Sequence, residues 1–515
     1  MHANEEIETV TASPTPGHPV RTRYAPSPTG FPHIGNYRTA LFEWLTARHS
    51  GGQFVLRVED TDRKRLVEGS IEAIMEGLRW LGLEWDEGPD VGGPYGPYLQ
   101  SERLATYKES ADLLIQQGHA YRCYCTEERL AQMRAEQEAR KQPTGYDRRC
   151  RYLTPEQRAA NEAEGLPSVV RFAAPTEGVT TYHDFLRGDL KFDNATLDDM
   201  ILLKSDNFPT YNFANIVDDH LMAITHVIRG EEYISSAPRY AQVYRAFGWD
   251  EPEVVHVPLV LAPDRSKLAK RHGALPLLEY RERGYLPEAI VNFLALLGWA
   301  YDGEKEFFTL DELVEVFDVK RIGTSPGVFD IDRLDWFNGQ YIRRMPATEL
   351  VERAMPFLLA GLPENVRDID YDYAARVIAL DQERIKTLAD VPALTAFFFV
   401  EQPEYDANLL LAKTMDAAKG ARALDELIPA LEAVRDWEPE TLLATLDSFV
   451  VERGFIRKKA DGSEVPDRGP VFMLARVGVS GRKETPGLPE MLATLGKERT
   501  LKRLAAAREK LAALA

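Results

Sequence analysis

The chain has 515 residues, more than a single hydrophobic core usually supports, so we predict several domains. Its hydrophobic content of 44% is sufficient for packed cores, and three cysteines are too few for a disulfide framework, which predicts a reducing compartment. The longest apolar run, residues 289–299, is interrupted by Asn292 and is too short to span a bilayer. Residues 1–18 are acidic, then proline-rich, and carry no secretory signal. We therefore expect a disordered leader on a cytoplasmic protein without a membrane partner.

Charge is distributed unevenly along the chain. The formal net charge of −19 argues against a nucleic-acid partner, because contacts to phosphate need positive charge. Residues 451–515, however, hold 14 Lys and Arg against 8 Asp and Glu, a net of +6 that leaves −25 for the first 450 residues. A basic end on an acidic protein fits local contact with RNA, and it fits a solvated basic helix equally well.

The first predicted elements alternate between strand and helix. Residues 20–25 are predicted as a strand that ends in the turn-rich segment 26–30, and a helix follows at about residues 34–49. Residues 54–58 are predicted as a buried strand and residues 71–81 as a second helix. This order predicts an α/β fold with a parallel, doubly wound sheet.

Farther along the chain the alternation stops and then resumes. Residues 101–207 carry polar helices and short β-like pieces, and we interpret them as an insertion. Strand–helix alternation returns at 208–229 and 254–262, and after about residue 346 the pattern is rich in Ala, Leu and Glu and predicts helices.

The turn before the first helix is a candidate phosphate site, with the sequence Pro26-Ser27-Pro28-Thr29-Gly30-Phe31-Pro32-His33-Ile34-Gly35-Asn36. A helix N-terminus offers unpaired amides and the positive end of the helix dipole, which suit a triphosphate. Gly35 lets a flat adenine or ribose approach the backbone, and His33 can donate hydrogen bonds to phosphate oxygens as charge builds up. A few such residues alone would be an ordinary turn with a surface histidine. The full string between a strand and a helix favours the phosphate site.

A second candidate is the basic run Lys267-Leu268-Ala269-Lys270-Arg271. Two lysines three residues apart can neutralise a pyrophosphate leaving group from a mobile loop. Alone, such a run is usually a solvated turn. The order of the two motifs, each after a predicted strand, is far more specific than either motif.

Together the two motifs resemble the HIGH and KMSKS signatures of class I aminoacyl-tRNA synthetases. Further strings, taken in order from residue 20 to the C-terminus, resemble the glutamyl and glutaminyl branch and especially the bacterial glutamyl enzymes: Val55-Leu56-Arg57-Val58-Glu59-Asp60-Thr61-Asp62-Arg63, Tyr211-Asn212-Phe213-Ala214-Asn215, Arg229-Gly230-Glu231-Glu232, Asp335-Trp336-Phe337-Asn338-Gly339 and Glu484-Thr485-Pro486-Gly487-Leu488. One residue departs from the pattern. Ala269 stands where the KMSKS string usually has serine, so loop contacts to phosphate would come from lysines and backbone.

The resemblance implies a Rossmann-type catalytic domain with a parallel sheet, split by an acceptor-binding insertion and followed by an all-α anticodon-binding region. The implied boundaries are a leader at 1–18, catalytic halves at 19–100 and 208–262, an acceptor-end insertion at 101–207, a stem-contact domain at 263–345 and the helical region at 346–515. The helical C-terminal pattern separates this chain from glutaminyl enzymes, which end in β-barrels, and from the short paralogue that modifies queuosine in tRNA.

The implied reaction is the ATP- and Mg2+-dependent charging of tRNA(Glu) with L-glutamate by a monomeric enzyme. The implied catalytic residues are His33, Lys267 and Lys270, and the implied ATP-binding residues are Pro28, Thr29, Gly30, His33, Gly35, Asn36, Lys267 and Lys270. The implied glutamate-binding residues are Arg23, Ser27, Glu59, Tyr211, Asn215 and Arg229. Two carboxylates and one ammonium need cationic and anionic partners, and Arg23 and Arg229 together are predicted to select glutamate over glutamine. Which arginine takes the side chain stays open, and taken singly each would be a surface ion pair.

Two alternatives remain at this point. A non-catalytic paralogue that binds tRNA is disfavoured by the intact His33, Lys267, Lys270, Glu59 and Arg229. A small-molecule adenylyl-transferring ligase is disfavoured by the long helical C-terminal region.

A zinc site is predicted in the insertion. Cys123-Tyr124-Cys125 and, after 24 residues, Cys150-Arg151-Tyr152 resemble a structural zinc motif found in part of this family. Three thiolates suit tetrahedral Zn2+, with Tyr152 as the fourth ligand at a position where the family often has histidine. Phenolate is a poor ligand, and three free or buried thiols are the alternative.

A tRNA-binding residue is predicted at the start of the helical region. An arginine there helps family members to reject glutamine anticodons through the third base, and the string at 381–386 aligns Gln382 with it. A neutral amide accepts more than one base edge, which favours charging of both tRNA(Glu) and tRNA(Gln). An alignment shifted by two residues gives the role to Arg384 instead.

Overall fold

The structure is a computed structural model that describes residues 19–269, 272, 275–366, 368–412, 414–458 and 463–514. The predicted leader at 1–18 lies outside these residues. The chain forms two compact units: residues up to 280 together with 287–331, and residues 281–286 together with 332 onward. The finer domain boundaries stay predictions. In the described part of the chain no helix is long and apolar enough to cross a membrane.

Most of the first unit consists of alternating strands and helices with an inserted block. The elements up to the insertion are β1 (Arg21–Tyr24), α1 (Ile34–His49), β2 (Gln53–Leu56) and α2 (Ser70–Trp80). The inserted elements are α3 (Leu104–Gln116), β3 (Ala120–Cys123), α4 (Glu127–Ala139), α5 (Pro155–Ala163), β4 (Val169–Phe172), β5 (Val179–Asp184), β6 (Gly188–Asp193) and β7 (Ile201–Leu203). The elements that follow are α6 (Tyr211–Leu221), β8 (His226–Gly230), α7 (Ala237–Phe247), β9 (Glu253–Val257), β10 (Val260–Leu261), α8 (Leu277–Glu282), α9 (Pro287–Ala295), α10 (Leu310–Val316) and β11 (Gly327–Val328).

Two parallel strand pairs form the centre of this unit. β1 pairs with β2, and β8 pairs with β9, each pair being joined by a crossover that contains a helix. The backbone of Thr225, just before β8, donates to Arg21 O in β1 at 3.0 Å, so the two pairs lie side by side. The parallel arrangement agrees with the strand–helix alternation of the sequence, since parallel neighbours need crossovers.

The inserted block is antiparallel instead. β3, β4 and β7 form a three-stranded sheet, and β5 and β6 form a hairpin whose last paired residues are Asp184 and Gly188. Antiparallel strands need no helical crossover between them. The sequence of this block therefore lacks the regular strand–helix alternation of the rest of the unit.

The second unit is helical. Its elements are α11 (Ile331–Arg344), α12 (Ala347–Gly361), α13 (Tyr371–Asp381), α14 (Asp390–Thr395), α15 (Ala417–Glu432), α16 (Pro439–Glu452), β12 (Ile456–Lys458), β13 (Glu464–Pro466), α17 (Gly469–Ser480), α18 (Leu488–Leu495) and α19 (Lys497–Leu514). Leucine-rich faces of α15–α19 share one core. The hairpin β12–β13 is the exception to the predicted all-α pattern.

Candidate active site

A cavity of about 370 Å3 opens where β1 and β8 end. Both strands present their carboxyl ends to it, the usual place for ligands in open α/β sheets. The lining residues come from β1, the turn after it, α1, α6 and β8, namely Arg23, Tyr24, Ala25, Pro26, Ser27, Thr29, Gly30, Phe31, Pro32, Asn36, Thr39, Glu43, Tyr211, Ile228, Arg229, Gly230, Glu232 and Tyr233. Half of the predicted ATP- and glutamate-binding residues thus line one space, namely Arg23, Ser27, Thr29, Gly30, Asn36, Tyr211 and Arg229.

His33 is the N-cap of α1. Its Nδ1 accepts a hydrogen bond from Gly35 N at 3.1 Å, and its own N donates to Asn36 Oδ1 at 3.0 Å, which completes a capping box. The surrounding protein lowers the pKa of His33 below its usual value by desolvation, and the positive charge of Lys267 lowers it further. Because Nδ1 accepts a hydrogen bond, a neutral His33 ring carries its proton on Nε2. That proton can be donated to a phosphate oxygen.

Lys267, in the described part of the basic run, lies close enough to this turn for its charge to act on His33. Lys267 lies opposite Leu261 of β10, and its charge acts on His33, so the structure brings the two sequence motifs together. Leu277 N also donates to Pro32 O at 3.3 Å, which ties the segment after the run to the turn. Lys270 and Arg271 lie outside the described residues.

The glycine at position 35 leaves room for the His33 ring. A Cβ at this position would lie 3.0 Å from His33 Cε1 and 3.1 Å from Nδ1. We therefore expect Gly35→Ala to displace the ring and to lower kcat of the activation step that the family resemblance implies by about 10- to 100-fold, since misplacement by about 1 Å can have that effect. Gly323→Ala is the matched control, because its nearest neighbour would be 3.8 Å away. Parent-like kcat in a folded Gly35→Ala variant would show that the ring position does not matter.

Arg23 is already paired with two carboxylates. Its Nε lies 3.0 Å from Asp219 Oδ1 in α6, and its Nη1 lies 3.0 Å from Glu43 Oε1 in α1. All three side chains are buried, so the interpretation of Arg23 as a surface ion pair is wrong. The positive charge of Arg23 is therefore partly compensated. Asp219 is shared with Arg57, whose Nη1 lies 2.7 Å from its Oδ1, and burial raises the pKa of Glu43 well above its usual range. Arg23 Nη2 is not used by these pairs.

Glu59 is buried beside Arg57. Its Oε1 accepts from Arg57 Nη2 at 3.1 Å, whereas its Oε2 has no hydrogen-bond partner among the described residues. Burial raises the pKa of Glu59 to about 7, against the opposing charges of Arg57 and Arg23. Glu59 is not part of the cavity wall, and an unpartnered carboxylate oxygen in such a place is suited to a cation.

Arg229, near the end of β8, is the contrasting case. It is 8% exposed and lines the cavity, yet in the described part of the chain no carboxylate lies within ion-pair distance of it. Its neighbours are His256 Nε2 at 3.2 Å from Nε, Tyr182 OH at 3.5 Å from Nη2, and the rings of Tyr233 and Tyr240. A buried guanidinium without an anion is a site for one, because the charge is otherwise unfavourable in this environment.

The other predicted glutamate residues lie nearby. Ser27 and Tyr211 line the cavity, and the Tyr211 ring is stacked on Tyr233. Asn215 shares a small second cavity with Arg229, and its Nδ2 has no partner among the described residues. Side chains that can donate and side chains that can accept hydrogen bonds therefore lie near Arg229.

The three cysteines meet in the insertion. The Sγ atoms of Cys123, Cys125 and Cys150 all lie within 4.8 Å of one another. The Tyr146 hydroxyl lies 3.3 Å from Cys123 Sγ and 3.6 Å from Cys125 Sγ, whereas Tyr152 is 72% exposed. The structure therefore places Tyr146, and not the predicted Tyr152, beside the thiols.

In the helical unit, Gln382 and Arg384 have different surroundings. Gln382 Nε2 donates to Ile342 O and Met345 O, both at 2.8 Å, and so satisfies carbonyls at the end of α11. Arg384 pairs with Asp381 at 2.5 Å and reaches Glu484 O at 3.3 Å, beside the Glu484–Leu488 string. Both side chains thus make contacts within the helical unit, Gln382 through Nε2 and Arg384 through Nη1 and Nη2, and the Arg384 side chain is 29% exposed.

Known proteins match this chain over nearly its whole length. The family described as "tRNA synthetases class I (E and Q), catalytic domain" matches residues 19–336. The chain belongs to this family. An "Anticodon binding domain" matches residues 349–508. The predicted family, the Rossmann-type catalytic domain with a helical anticodon-binding domain, and the enzyme class are thereby confirmed.

Two curated relatives and one solved structure show how similar this chain is to known synthetases. A glutamate–tRNA ligase of Dehalococcoides mccartyi is 46% identical over 497 residues, covering 96% of this chain and 99% of that one. A glutamate–tRNA ligase of Moorella thermoacetica is 46% identical over 490 residues, covering 94% of this chain and 97% of that one. A crystal structure of a glutamate tRNA ligase from Elizabethkingia meningosepticum in complex with its amino acid has a TM-score of 0.85 at 36% identity and covers 96% of this chain and all of that one.

Several residues that surround the candidate site have no predicted role in the sequence. Glu43 and Asp219, which compensate Arg23, were not singled out, although a glutamate inside the apolar segment Leu41–Leu45 is a detectable signal. His256 and Tyr146 carry no local signal, because only the packing of distant segments brings them to Arg229 and to the cysteines.

Proposed function

We propose that the chain is a glutamate–tRNA ligase that joins L-glutamate to the 3′-terminal adenosine of tRNA(Glu). The observation that carries the proposal is the uncompensated guanidinium of Arg229 in a cavity that also holds the capped turn of α1. Relatives of this name at 45–48% identity over nearly the whole chain support it.

In the first step, a carboxylate oxygen of the glutamate α-carboxyl group attacks the α-phosphorus of ATP, and the bond to pyrophosphate breaks. His33 would donate from Nε2 to a phosphate oxygen, and Lys267 would neutralise charge on the departing pyrophosphate. Pro28, Thr29, Gly30, Gly35 and Asn36 would form the floor of the ATP site at the α1 N-terminus. Class I synthetases use Mg2+ with ATP, and the ion neutralises phosphate charge when bound.

In the second step, the 2′-hydroxyl of the terminal adenosine attacks the carbonyl carbon of glutamyl-adenylate. AMP leaves with the bonding electrons, and the hydroxyl proton is lost. The chain supplies no covalent intermediate in this scheme, so its contribution is positioning and charge stabilisation.

Glutamate would be held by its charges. Arg229 would bind the side-chain carboxylate, because it has no carboxylate of its own, whereas Arg23 is already paired. Glu59 is buried behind the cavity wall, and it would have to become accessible to receive the ammonium group through its unpartnered Oε2. Ser27, Tyr211 and Asn215 would add hydrogen bonds to the same ligand.

The proposal is tested by ATP–pyrophosphate exchange and by charging of separate tRNA(Glu) and tRNA(Gln). We expect glutamate-dependent exchange with tRNA present and charging of tRNA(Glu). Absence of both would point to the tRNA-binding paralogue without catalysis. The sequence predicts charging of tRNA(Gln) through Gln382, whose Nε2 is used by two backbone carbonyls. We infer that Arg384 contacts the anticodon instead, and strong charging of tRNA(Gln) would contradict this inference.

A structural zinc ion is the second part of the proposal. The three clustered thiols fit Zn2+, and Tyr146 rather than Tyr152 is placed to complete the set. Such an ion would join β3 to the turn that carries Cys150. It has no role in the chemical steps.

We expect protein purified without chelator to contain one zinc ion per chain by elemental analysis. Tyr146→Phe should weaken zinc retention against a competing chelator by about 10- to 100-fold, the range seen when groups that support a metal site are lost. Tyr152→Phe is the matched control and should retain zinc like the parent, since the exposed side chain lies outside the cluster. Substoichiometric zinc in the parent protein would contradict the site itself.

A further inference from the structure

Arg229 is held in place by a buried histidine. Its Nε lies 3.2 Å from Nε2 of His256 in β9, which has 0% exposure. The Nε–H of an arginine can only donate a hydrogen bond, so His256 Nε2 must accept it. This contact requires a neutral imidazole with its proton on Nδ1.

Asp184 fixes that tautomer from the other side of the ring. Its Oδ2 lies 2.7 Å from His256 Nδ1, and its Oδ1 accepts from the backbone N atoms of Leu186 and Arg187. Asp184 is also completely buried, at the end of β5. Because an ionised carboxylate only accepts, the Nδ1 proton points to Asp184 and the Nε2 lone pair points to Arg229.

The hydrogen bonds that link Asp184, His256 and Arg229 determine which part of the Arg229 guanidinium remains for a ligand. Nε of Arg229 is used by His256, and Nη2 makes only a long contact of 3.5 Å to Tyr182 OH. The edge formed by Nη1 and Nη2 is therefore the part that can still bind a ligand strongly. That edge can form two parallel hydrogen bonds to a carboxylate. A neutral imidazole also adds no second positive charge beside Arg229.

We propose that His256 and Asp184 are positioning residues of the amino-acid site, which act through Arg229 and present its Nη edge to the side-chain carboxylate of glutamate. Neither residue lines the main cavity, so their effect is indirect. The inference rests on the proposed function and adds two residues from β9 and from the inserted β5–β6 hairpin to the specificity site.

Two substitutions of His256 separate its two hydrogen bonds. His256→Gln places an amide oxygen near the former Nε2 and keeps an acceptor for Arg229. His256→Asn keeps a donor toward Asp184 but leaves Arg229 Nε without its acceptor. His183→Asn is the control, because this neighbouring histidine of β5 has a side chain that is 63% exposed.

KM for glutamate, KM for ATP and kcat are measured by ATP–pyrophosphate exchange with tRNA(Glu) present. We expect His256→Asn to raise KM for glutamate by about 10- to 100-fold, the effect of losing a hydrogen bond to a charged group, while KM for ATP and kcat stay near the parent values. His256→Gln is expected to restore KM for glutamate to within about threefold of the parent.

Three results would overturn the positioning role. They are an unchanged KM for glutamate in His256→Asn, an equal rise in the Asn and Gln variants, and a rise in KM for ATP that parallels the rise for glutamate. The last two are what a purely structural role of His256 predicts. Failure of the proposed function is distinguished by the parent protein, which would then show no glutamate-dependent exchange.

Discussion

Arg229→Met is expected to lower kcat/KM for glutamate by about two orders of magnitude or more, because losing a buried charge partner costs about 2–5 kcal/mol. That range corresponds to roughly 30- to several-thousand-fold. Glutamate and glutamine are nearly isosteric, so shape cannot separate them and charge must. A guanidinium opposite the carboxylate gains a charge-assisted contact, whereas opposite an amide it meets N–H groups. The preference for glutamate over glutamine should therefore fall together with kcat/KM.

The control for this variant is the same substitution at an exposed arginine. Arg79→Met alters a side chain that is 48% exposed and pairs with Asp90 on the surface, so parent-like kinetics are expected. KM for ATP should also match the parent and the variant should remain folded, since Arg229 has no carboxylate partner to lose. A folded Arg229→Met enzyme that charges glutamate within a few-fold of the parent would refute the assignment of the pocket.

KM for glutamate is expected to fall as pH rises toward about 7 and to level off above it, because Glu59 has a pKa of about 7 in the absence of ligand. The carboxyl group is protonated below this pH and must lose its proton to accept the substrate ammonium. Each pH unit below the pKa therefore raises KM by up to about tenfold. The cause is burial, which raises the pKa against the lowering effect of Arg57 and Arg23, with Asp219 acting in the same direction as burial.

Glu59→Gln tests the origin of this pH dependence. The substitution keeps the size of the side chain but cannot ionise, so KM for glutamate should be about 30-fold higher or more at neutral pH and nearly independent of pH. KM for ATP, measured over the same pH range, reports any general effect of pH. A pH profile of KM for glutamate that is the same in parent and variant would mean that another group titrates.

The family and the location of the chemistry follow from local sequence. The turn before α1 is recognisable because a strand, a Pro- and Gly-rich turn and a helix with an N-cap at His33 are all encoded within a short segment. The same holds for the bounds of α1, which the structure places at Ile34–His49, as the sequence predicts. Hydrophobic spacing and capping depend on near neighbours in the chain, so they are readable without the tertiary structure.

The roles of individual charged residues are decided by contacts between distant segments. Arg23 and Arg229 are equivalent in the sequence, but Asp219, 196 residues beyond Arg23, pairs with Arg23. Arg229 is surrounded by neutral groups, the His256 imidazole and tyrosine side chains. In the same way, Gln382 is occupied by a carbonyl 40 residues earlier. The sequence by itself determined the family and the fold class, and it predicted seven of the residues that line the cavity. Only the tertiary structure decided which guanidinium remains uncompensated, because the electrostatic balance of a buried group is the sum over every element packed against it.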